Sequence, residues 1–398
     1  MDPDALANSI ITAVTDGLPA TAVMAIGVVC PEFPDGKLFV VSGSSPISAT
    51  YGTLVPNGST PFEIASVTKT FTPFVYYELH ANFDGTFGTT FWEFPLDWQI
   101  STMPIIALAN FESGFPADNE SGEDWPPTCK LQSSIELLGW MGTSDFEKQA
   151  ISPPLSCYTY SNFAFGLLGL ACVGIAESPN VLFDKQLRVW CGLLGMRETG
   201  LYPDPQLDPA FDATLPVGHC PDGALQPKGA SYAPVAPMLF GGGGMVSTGD
   251  DMLRWLLFNM GRLEAPLPIP PLIAIQGTVW SAPRCVNPDQ PPVQTLMGWF
   301  VSRYGFAGDV PFVWKNGMVP AGFTSYIAFE QWIREPATLS TLPSNVGVFV
   351  LSNLVGTDRN SAQDYGHLLL WLLLGSLGDR PVVQTSGPDD GYIPGVDG

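Results

Sequence analysis

Histidine is scarce in this chain: among 398 residues only His80, His219 and His367 carry an imidazole. No G-x-S-x-G elbow occurs, which argues against a serine–histidine–aspartate hydrolase. No H-E-x-x-H or comparable cluster occurs, so neither a metal nor a cofactor is expected. Basic residues are few as well, 16 against 38 acidic ones, for a formal net charge of −22. That balance disfavours nucleic acids and anionic membranes as partners, and its simplest role is solubility. Long apolar runs are missing. Leu368 to Leu374, with Trp371 inside it, is far too short to span a bilayer and reads as a buried helix. C-x-x-C spacing is absent. The seven cysteines (Cys30, Cys129, Cys157, Cys172, Cys191, Cys220 and Cys285) are odd in number, so neither a zinc site nor a disulfide framework is expected. Met1-Asp2-Pro3-Asp4 is acidic where a secretory signal would be basic. The expected location is therefore cytoplasmic, or secreted or periplasmic if a leader was removed.

What is present is a globular composition: 45% apolar residues against 14% charged ones places the chain among ordered proteins. Leu6, Ile10, Ile11 and Val14 predict an amphipathic N-terminal helix. Ala22 to Cys30 and Leu38 to Ser42 are β-rich runs, with a turn expected at Pro34-Asp35-Gly36. Strands return at Leu296–Val301, Phe323–Phe329 and Val346–Leu351, and a last helix is expected over about Ser361–Leu377. Strands thus come from both chain ends and helices fill the middle. The expected fold is α/β (α+β): an antiparallel sheet flanked by terminal helices, with a mostly helical domain inserted. The expected division is 1–80 with 270–398 as the α/β domain, 81–269 as the inserted domain, and 385–398 as a loose tail. Phe111 to Lys130 reads as an acidic loop, either a solvated insertion or a lid. Asp250 or Asp251 is the expected cap of a helix reaching Gly261.

Three short patterns carry chemistry. Ser66-Val67-Thr68-Lys69 follows a turn-like Pro56-Asn57-Gly58-Ser59-Thr60 and precedes Phe71, Phe74, Val75, Tyr76 and Leu79, an apolar face at helical spacing. Ser66 then stands where a helix begins and Lys69 one turn in, on the same face. A lysine there can take the serine proton and make a nucleophile without histidine. Alone, the pattern fits equally well a helix start with a solvated lysine. Tyr160-Ser161-Asn162 lies 94 residues after Ser66 (160 − 66), before a helical-looking segment. Lys315-Asn316-Gly317 lies 155 residues further on (315 − 160), before a strand.

S-x-x-K, Y-x-N and K-x-G in that order resemble the serine β-lactamase and penicillin-binding-protein superfamily, and the tyrosine and spacings resemble its class C branch. That branch also holds family VIII carboxylesterases, D-aminopeptidases, D,D-peptidases and acyltransferases. Leu193–Leu201 resembles the family's LGM-x-x-T segment, and Gly243–Met252 its GG-x-x-ST-x-x-D segment. The resemblance implies that Ser66 attacks a carbonyl to form an acyl-enzyme, with Lys69 and Tyr160 as proton carriers and Lys315 nearby. It also implies an oxyanion hole from the backbone N–H groups of Ser66 and Met318, and Asn162 orienting Lys69 or a substrate amide. A free phenol titrates near ~10, so Tyr160 needs both ammonium groups close by to act near neutral pH. Ser247, Thr248 and Cys157 are expected to be structural, the last as a small buried hydrophobe.

The chain departs from the β-lactamase pattern at Asn316, where a hydroxyl residue is usual, and at Met318, where a small one is common after Gly317. Both departures favour an ester, amide or short peptide substrate over efficient β-lactam hydrolysis. True β-lactamase activity, acyl transfer through the same acyl-enzyme, and a non-catalytic binding role are the alternatives.

Overall fold

The computed structural model describes residues 2–15, 18, 22–42, 56–91, 98–115, 134–141 and 152–202. It also describes 214–218, 237–263, 275, 279–285, 289–303, 311–319, 322–330, 333–334, 341–342, 345–355 and 361–375. The expected tail at 385–398, residues 116–130 of the acidic loop, and His219, Cys129 and Cys220 lie outside the described residues.

Among the described residues the longer helices are α1 (Pro3–Thr15), α2 (Thr68–His80), α3 (Ser134–Met141), α4 (Asn162–Val173), α5 (Pro179–Leu193), α6 (Gly249–Asn259) and α7 (Ala362–Gly375). The strands from the first part of the chain are β1 (Val23–Cys30), β2 (Phe33–Ser42), β3 (Pro61–Glu63), β4 (Gly200–Leu201) and β5 (Met245–Thr248). Then come β6 (Trp280–Ala282), β7 (Val293–Leu296), β8 (Trp299–Arg303), β9 (Pro311–Val319) and β10 (Phe323–Glu330). The last are β11 (Ile333–Arg334), β12 (Thr341–Leu342) and β13 (Gly347–Ser352).

Eight strands form one antiparallel sheet in the order β2-β1-β13-β10-β9-β8-β7-β6. All residues of β1 and β13 are buried, as continuous apolar runs covered on both faces must be. α6 supplies one cover: Gly249 approaches Ala25 and Gly347 approaches Met260. The other cover is α7, whose Gly366 lies against the ring of Tyr326. The expected antiparallel sheet is what folds, but of these two covers only α7 comes from a chain end; α6, at residues 249–259, lies within the range expected for the inserted domain and packs on β1, β2 and β13 instead. A smaller sheet, β3-β5-β4, stands beside it and carries the entry to α2.

Three local expectations change. The first hairpin turns at Pro31–Glu32, and the Pro34-Asp35-Gly36 segment lies inside β2, where Gly36 takes φ +82° next to an irregular register. Leu296–Val301 is a hairpin rather than one strand, because Met297-Gly298 turns between β7 and β8 with Gly298 at φ +81°. The cap of α6 is Thr248, whose Oγ1 accepts from the Asp251 N–H at 3.3 Å. The Asp251 carboxylate instead accepts from Arg197 N, Glu198 N and Thr199 Oγ1 at 3.2, 2.8 and 2.8 Å. It therefore joins the Leu193–Leu201 segment to the Gly243–Met252 segment.

α6 also grips the helix that carries Lys69. Trp255 is buried, stacks on Phe71 of α2 at 3.9 Å and 14°, and donates its indole N–H to Thr70 Oγ1 at 3.1 Å. Trp255→Ala removes the stack and leaves a cavity, so unfolding in urea is expected to show a loss of about 3–5 kcal/mol. A loss below about 1 kcal/mol would mean that α2 does not depend on this contact.

Candidate active site

Ser66 sits in a single 3₁₀ turn, Ala65–Val67, that runs directly into α2. The preceding Ala65 holds φ +47°, a conformation that an L side chain adopts only under constraint. The constraint comes from both sheets. Ile64 N–H donates to Met245 O at 3.0 Å, and Ile64 O accepts from Ser325 Oγ of β10 at 2.7 Å. The turn thus aims Ser66 at the seam between the helices and the large sheet.

Lys69, one turn along α2, is fully buried. An ammonium has three donors. These meet Ser66 Oγ at 3.1 Å, Asn162 Oδ1, and the carbonyl oxygen of Gly242. The faces of Tyr160 and Phe165 lie 4.8 and 5.6 Å from the nitrogen, within cation–π range. Asn162 is the first residue of α4, whose N-cap is Ser161, its Oγ accepting from Ala164 N at 2.9 Å. α4 approaches the Gly241–Gly244 run so closely that a Cβ on Gly241 would lie 2.3 Å from the Phe165 carbonyl. Only glycine lets the two backbones close up enough to bring the Gly242 carbonyl to Lys69.

Tyr160 lies just before that cap. Its hydroxyl donates to Ser66 Oγ at 2.7 Å. Its ring stacks on Phe111 at 5.5 Å and 15°, and Phe111 in turn stacks on Phe300 of β8 at 5.1 Å and 16°. Lys315 on β9 is buried, with Nζ 5.3 Å from the centre of the Tyr160 ring and 5.0 Å from that of Phe300. Its ammonium donates to Asn316 O at 2.9 Å and to Asn316 Oδ1 at 3.2 Å. The Asn316 amide nitrogen donates to Gln363 of α7 at 2.7 Å. That bond fixes the amide so that its oxygen faces the lysine. The asparagine that replaces a hydroxyl residue thus holds Lys315.

β9 continues past the end of β8, whose pairing stops at Phe300–Trp314, so Lys315–Val319 runs along the Ser66 turn. Gly317 is where the two touch. A Cβ there would lie 2.6 Å from Ile64 O, 2.6 Å from Ser325 Oγ and 2.7 Å from Ser66 N. Met318 follows it, partly exposed, opposite Thr324 of β10.

The structure therefore brings Ser66, Lys69, Tyr160, Asn162, Lys315 and Gly317 together, with Asn316 and Met318 on the same strand. Reading the sequence missed the Gly242 carbonyl, the Phe111 ring, Gln363 and Ser325. Phe111 at φ +61° had no local signal, whereas the run of four glycines from Gly241 was a visible sign of close backbone approach. It also missed a disulfide. Cys157, expected to be a small buried hydrophobe, is bonded to Cys285 across 128 residues, while Cys30, Cys172 and Cys191 are buried free thiols.

The chain as a whole resembles known proteins. A family model described as Beta-lactamase matches residues 32–370. The chain belongs to the β-lactamase family. It is 24% identical over 237 residues to the D-alanyl-D-alanine-carboxypeptidase/endopeptidase AmpH of Escherichia coli (strain K12), covering 55% of each chain. The chain thus spans about half the length of the curated relatives it matches. Among solved structures, a β-lactamase/D-alanine carboxypeptidase from Pseudomonas syringae superposes with TM-score 0.67 at 16% identity, over 94% of this chain and 99% of that one. A class C β-lactamase superposes with TM-score 0.65 at 16% identity, over 94% and 96%. Both share the fold. Among the described residues no helix is long and apolar enough to cross a membrane.

Two predictions follow from the packing. Gly317→Ala forces a methyl into the Ser66 turn and is expected to lower the urea unfolding free energy by about 1–3 kcal/mol, overpacking being the cause. Glu112, next to Phe111, is buried with Oε2 lacking a hydrogen-bond partner, and burial raises its carboxyl above the ordinary 4.5. The folded state then keeps a proton that the unfolded chain has released. The stabilisation is complete below the unfolded value and is lost as pH rises through the folded one. Glu112→Gln removes that loss. Its melting temperature should exceed that of the wild type at pH 7, and the two should converge below about pH 4.5, the ordinary carboxylate value; parallel curves would refute the assignment.

Proposed function

We propose that the protein is a serine hydrolase that forms an acyl-enzyme on Ser66 and cleaves an ester, or the amide of a short peptide. The observation that carries this reading is the convergence on Ser66 Oγ of the Tyr160 hydroxyl at 2.7 Å and the Lys69 ammonium at 3.1 Å. Ser66 Oγ attacks the carbonyl carbon as its proton passes to Tyr160, which takes it in the phenolate form that the Lys69 and Lys315 ammonium groups favour. The carbonyl oxygen becomes an oxyanion, received by the backbone N–H groups of Ser66 and Met318. Such a donor contributes roughly 3 kcal/mol of transition-state stabilisation. The intermediate collapses by breaking the bond to the alcohol or amine, which takes a proton from Tyr160. Water then attacks the acyl ester, its proton passes to the Tyr160 phenolate, and the acid leaves with Ser66 restored.

The two ammonium groups support the phenol as the proton carrier, since positive charge near it favours the phenolate. The relatives named as D-alanine carboxypeptidases support a peptide amide as substrate, and the bulk of Met318 supports an apolar acyl group. The Asn316 amide held by Gln363 and the absence of a hydroxyl in the third motif favour this reading over efficient β-lactam hydrolysis. The Cys157–Cys285 bond favours an oxidising compartment over the reducing one expected from the cysteine count.

The test sets wild type and Ser66→Ala against p-nitrophenyl butyrate, an acyl-D-alanyl-D-alanine peptide and a chromogenic cephalosporin, following product and intact mass. Turnover of the ester or the peptide that disappears in Ser66→Ala, with slow cephalosporin opening, is the expected result. Fast cephalosporin hydrolysis would make the protein a true β-lactamase. Turnover that survives in Ser66→Ala would remove the serine from the mechanism.

A further inference from the structure

Tyr160 lies outside any helix or strand, yet its hydroxyl has to stay within hydrogen-bond reach of Ser66. Regular structure does not hold it; its neighbours in the chain do. Thr159 N–H donates to Phe111 O at 2.7 Å. Tyr158 N–H donates to Pro283 O at 2.7 Å, and Cys285 N–H donates to Tyr158 O at 3.4 Å, forming a parallel bridge between Tyr158 and Arg284. The Cys157–Cys285 disulfide closes this short ladder on one side, and Thr159 Oγ1 lies 2.9 Å from Cys285 Sγ on the other. Residues 283–285 follow directly from β6, the outermost strand of the sheet whose β9 carries Lys315.

We propose that the Cys157–Cys285 disulfide is a positioning element for Tyr160: it fastens the tyrosine's segment to the sheet that carries Lys315 and so sets the phenol's distance from Ser66. The proposal rests on reading Tyr160 as a proton carrier. The two hydrogen bonds of the ladder are few, and both cysteines are partly exposed, so water competes for this segment once the covalent tie is gone. Asn162 remains seated on Lys69 through α4, so substrate binding and the lysine survive while the phenol drifts. Misplacement by about 1 Å at a reacting group costs on the order of a hundredfold in rate.

The bond can be opened chemically. Dithiothreitol delivers two electrons and two protons, leaving thiols at Cys157 and Cys285 and becoming a cyclic disulfide itself. The experiment compares four proteins on the ester or peptide that the wild type turns over: oxidised wild type, wild type reduced under native conditions, Cys157→Ser/Cys285→Ser, and Tyr160→Phe. Circular dichroism monitors folding, and thiol alkylation with mass mapping confirms the state of each cysteine. The expected result is that reduction and the double substitution each lower kcat by about ten- to a hundredfold while KM stays within about threefold, as loss of positioning at the reacting group dictates. The rising limb of the kcat–pH profile should also move to higher pH, because a phenol displaced from the two ammonium groups forms its phenolate less readily.

A merely structural staple predicts something else: a lower melting temperature with kcat and pH profile unchanged. That result would overturn the proposal, as would alkylation of Cys157 and Cys285 in unreduced, active protein. Should the double variant fail to fold, the reduced wild type gives the same comparison. If Tyr160→Phe retains full turnover, the reading of Tyr160 itself falls. If Tyr160→Phe is inactive but reduction has no effect, only the role of the disulfide falls.

Discussion

The site depends on a buried ammonium held by oxygen acceptors from different parts of the chain. Lys69 is removed from water, and an ion in that position is tolerated only when each of its donors meets an oxygen. Three of these acceptors come from three separate segments: the Ser66 turn, the start of α4, and the glycine run after residue 240. Fixing one charge therefore fixes three pieces of chain. The glycines, the Ser161 cap and the strained Ala65 all serve this arrangement. The Trp255–Phe71 stack does so from outside, by holding α2 against α6.

The second cation is arranged differently. Lys315 stands on a strand, and its immediate neighbour in sequence accepts hydrogen bonds from it. Its place is set by the sheet and by Gln363 on α7 behind it. One lysine thus reports the helices and the other the sheet, with the Tyr160 ring between them. A phenol in that position feels any relative movement of the two layers as a change in its own electrostatics. This gives a physical reason for tethering the tyrosine to the edge of the sheet.

Much of this was legible in the chain because its signals are local. An S-x-x-K pair at helical spacing, a helical-looking segment after Y-x-N and an apolar strand after K-x-G each declare themselves within a dozen residues. What stayed hidden depends on partners far away. Thr248 rather than Asp251 caps α6 because Asp251 already accepts from residues 197–199. Cys157 and Cys285 have no spacing signature at a separation of 128 residues, and an odd cysteine count says nothing about which two meet. Met297-Gly298 divides an apolar run that looks continuous, since a φ of +81° is a property of the glycine and not of the pattern around it.

The strand order has a consequence for how the molecule is made. β1 and β2 form a hairpin from neighbouring residues, but the other side of β1 pairs with β13, Met24 meeting Ser352, 328 residues later (352 − 24). A wholly apolar strand leaves synthesis with one edge bonded and the other exposed, and unpaired edges of that kind invite association with other chains. The first hairpin must wait for nearly the last strand. Its survival in that interval is a matter of folding kinetics and chaperoning rather than of any contact in the finished fold.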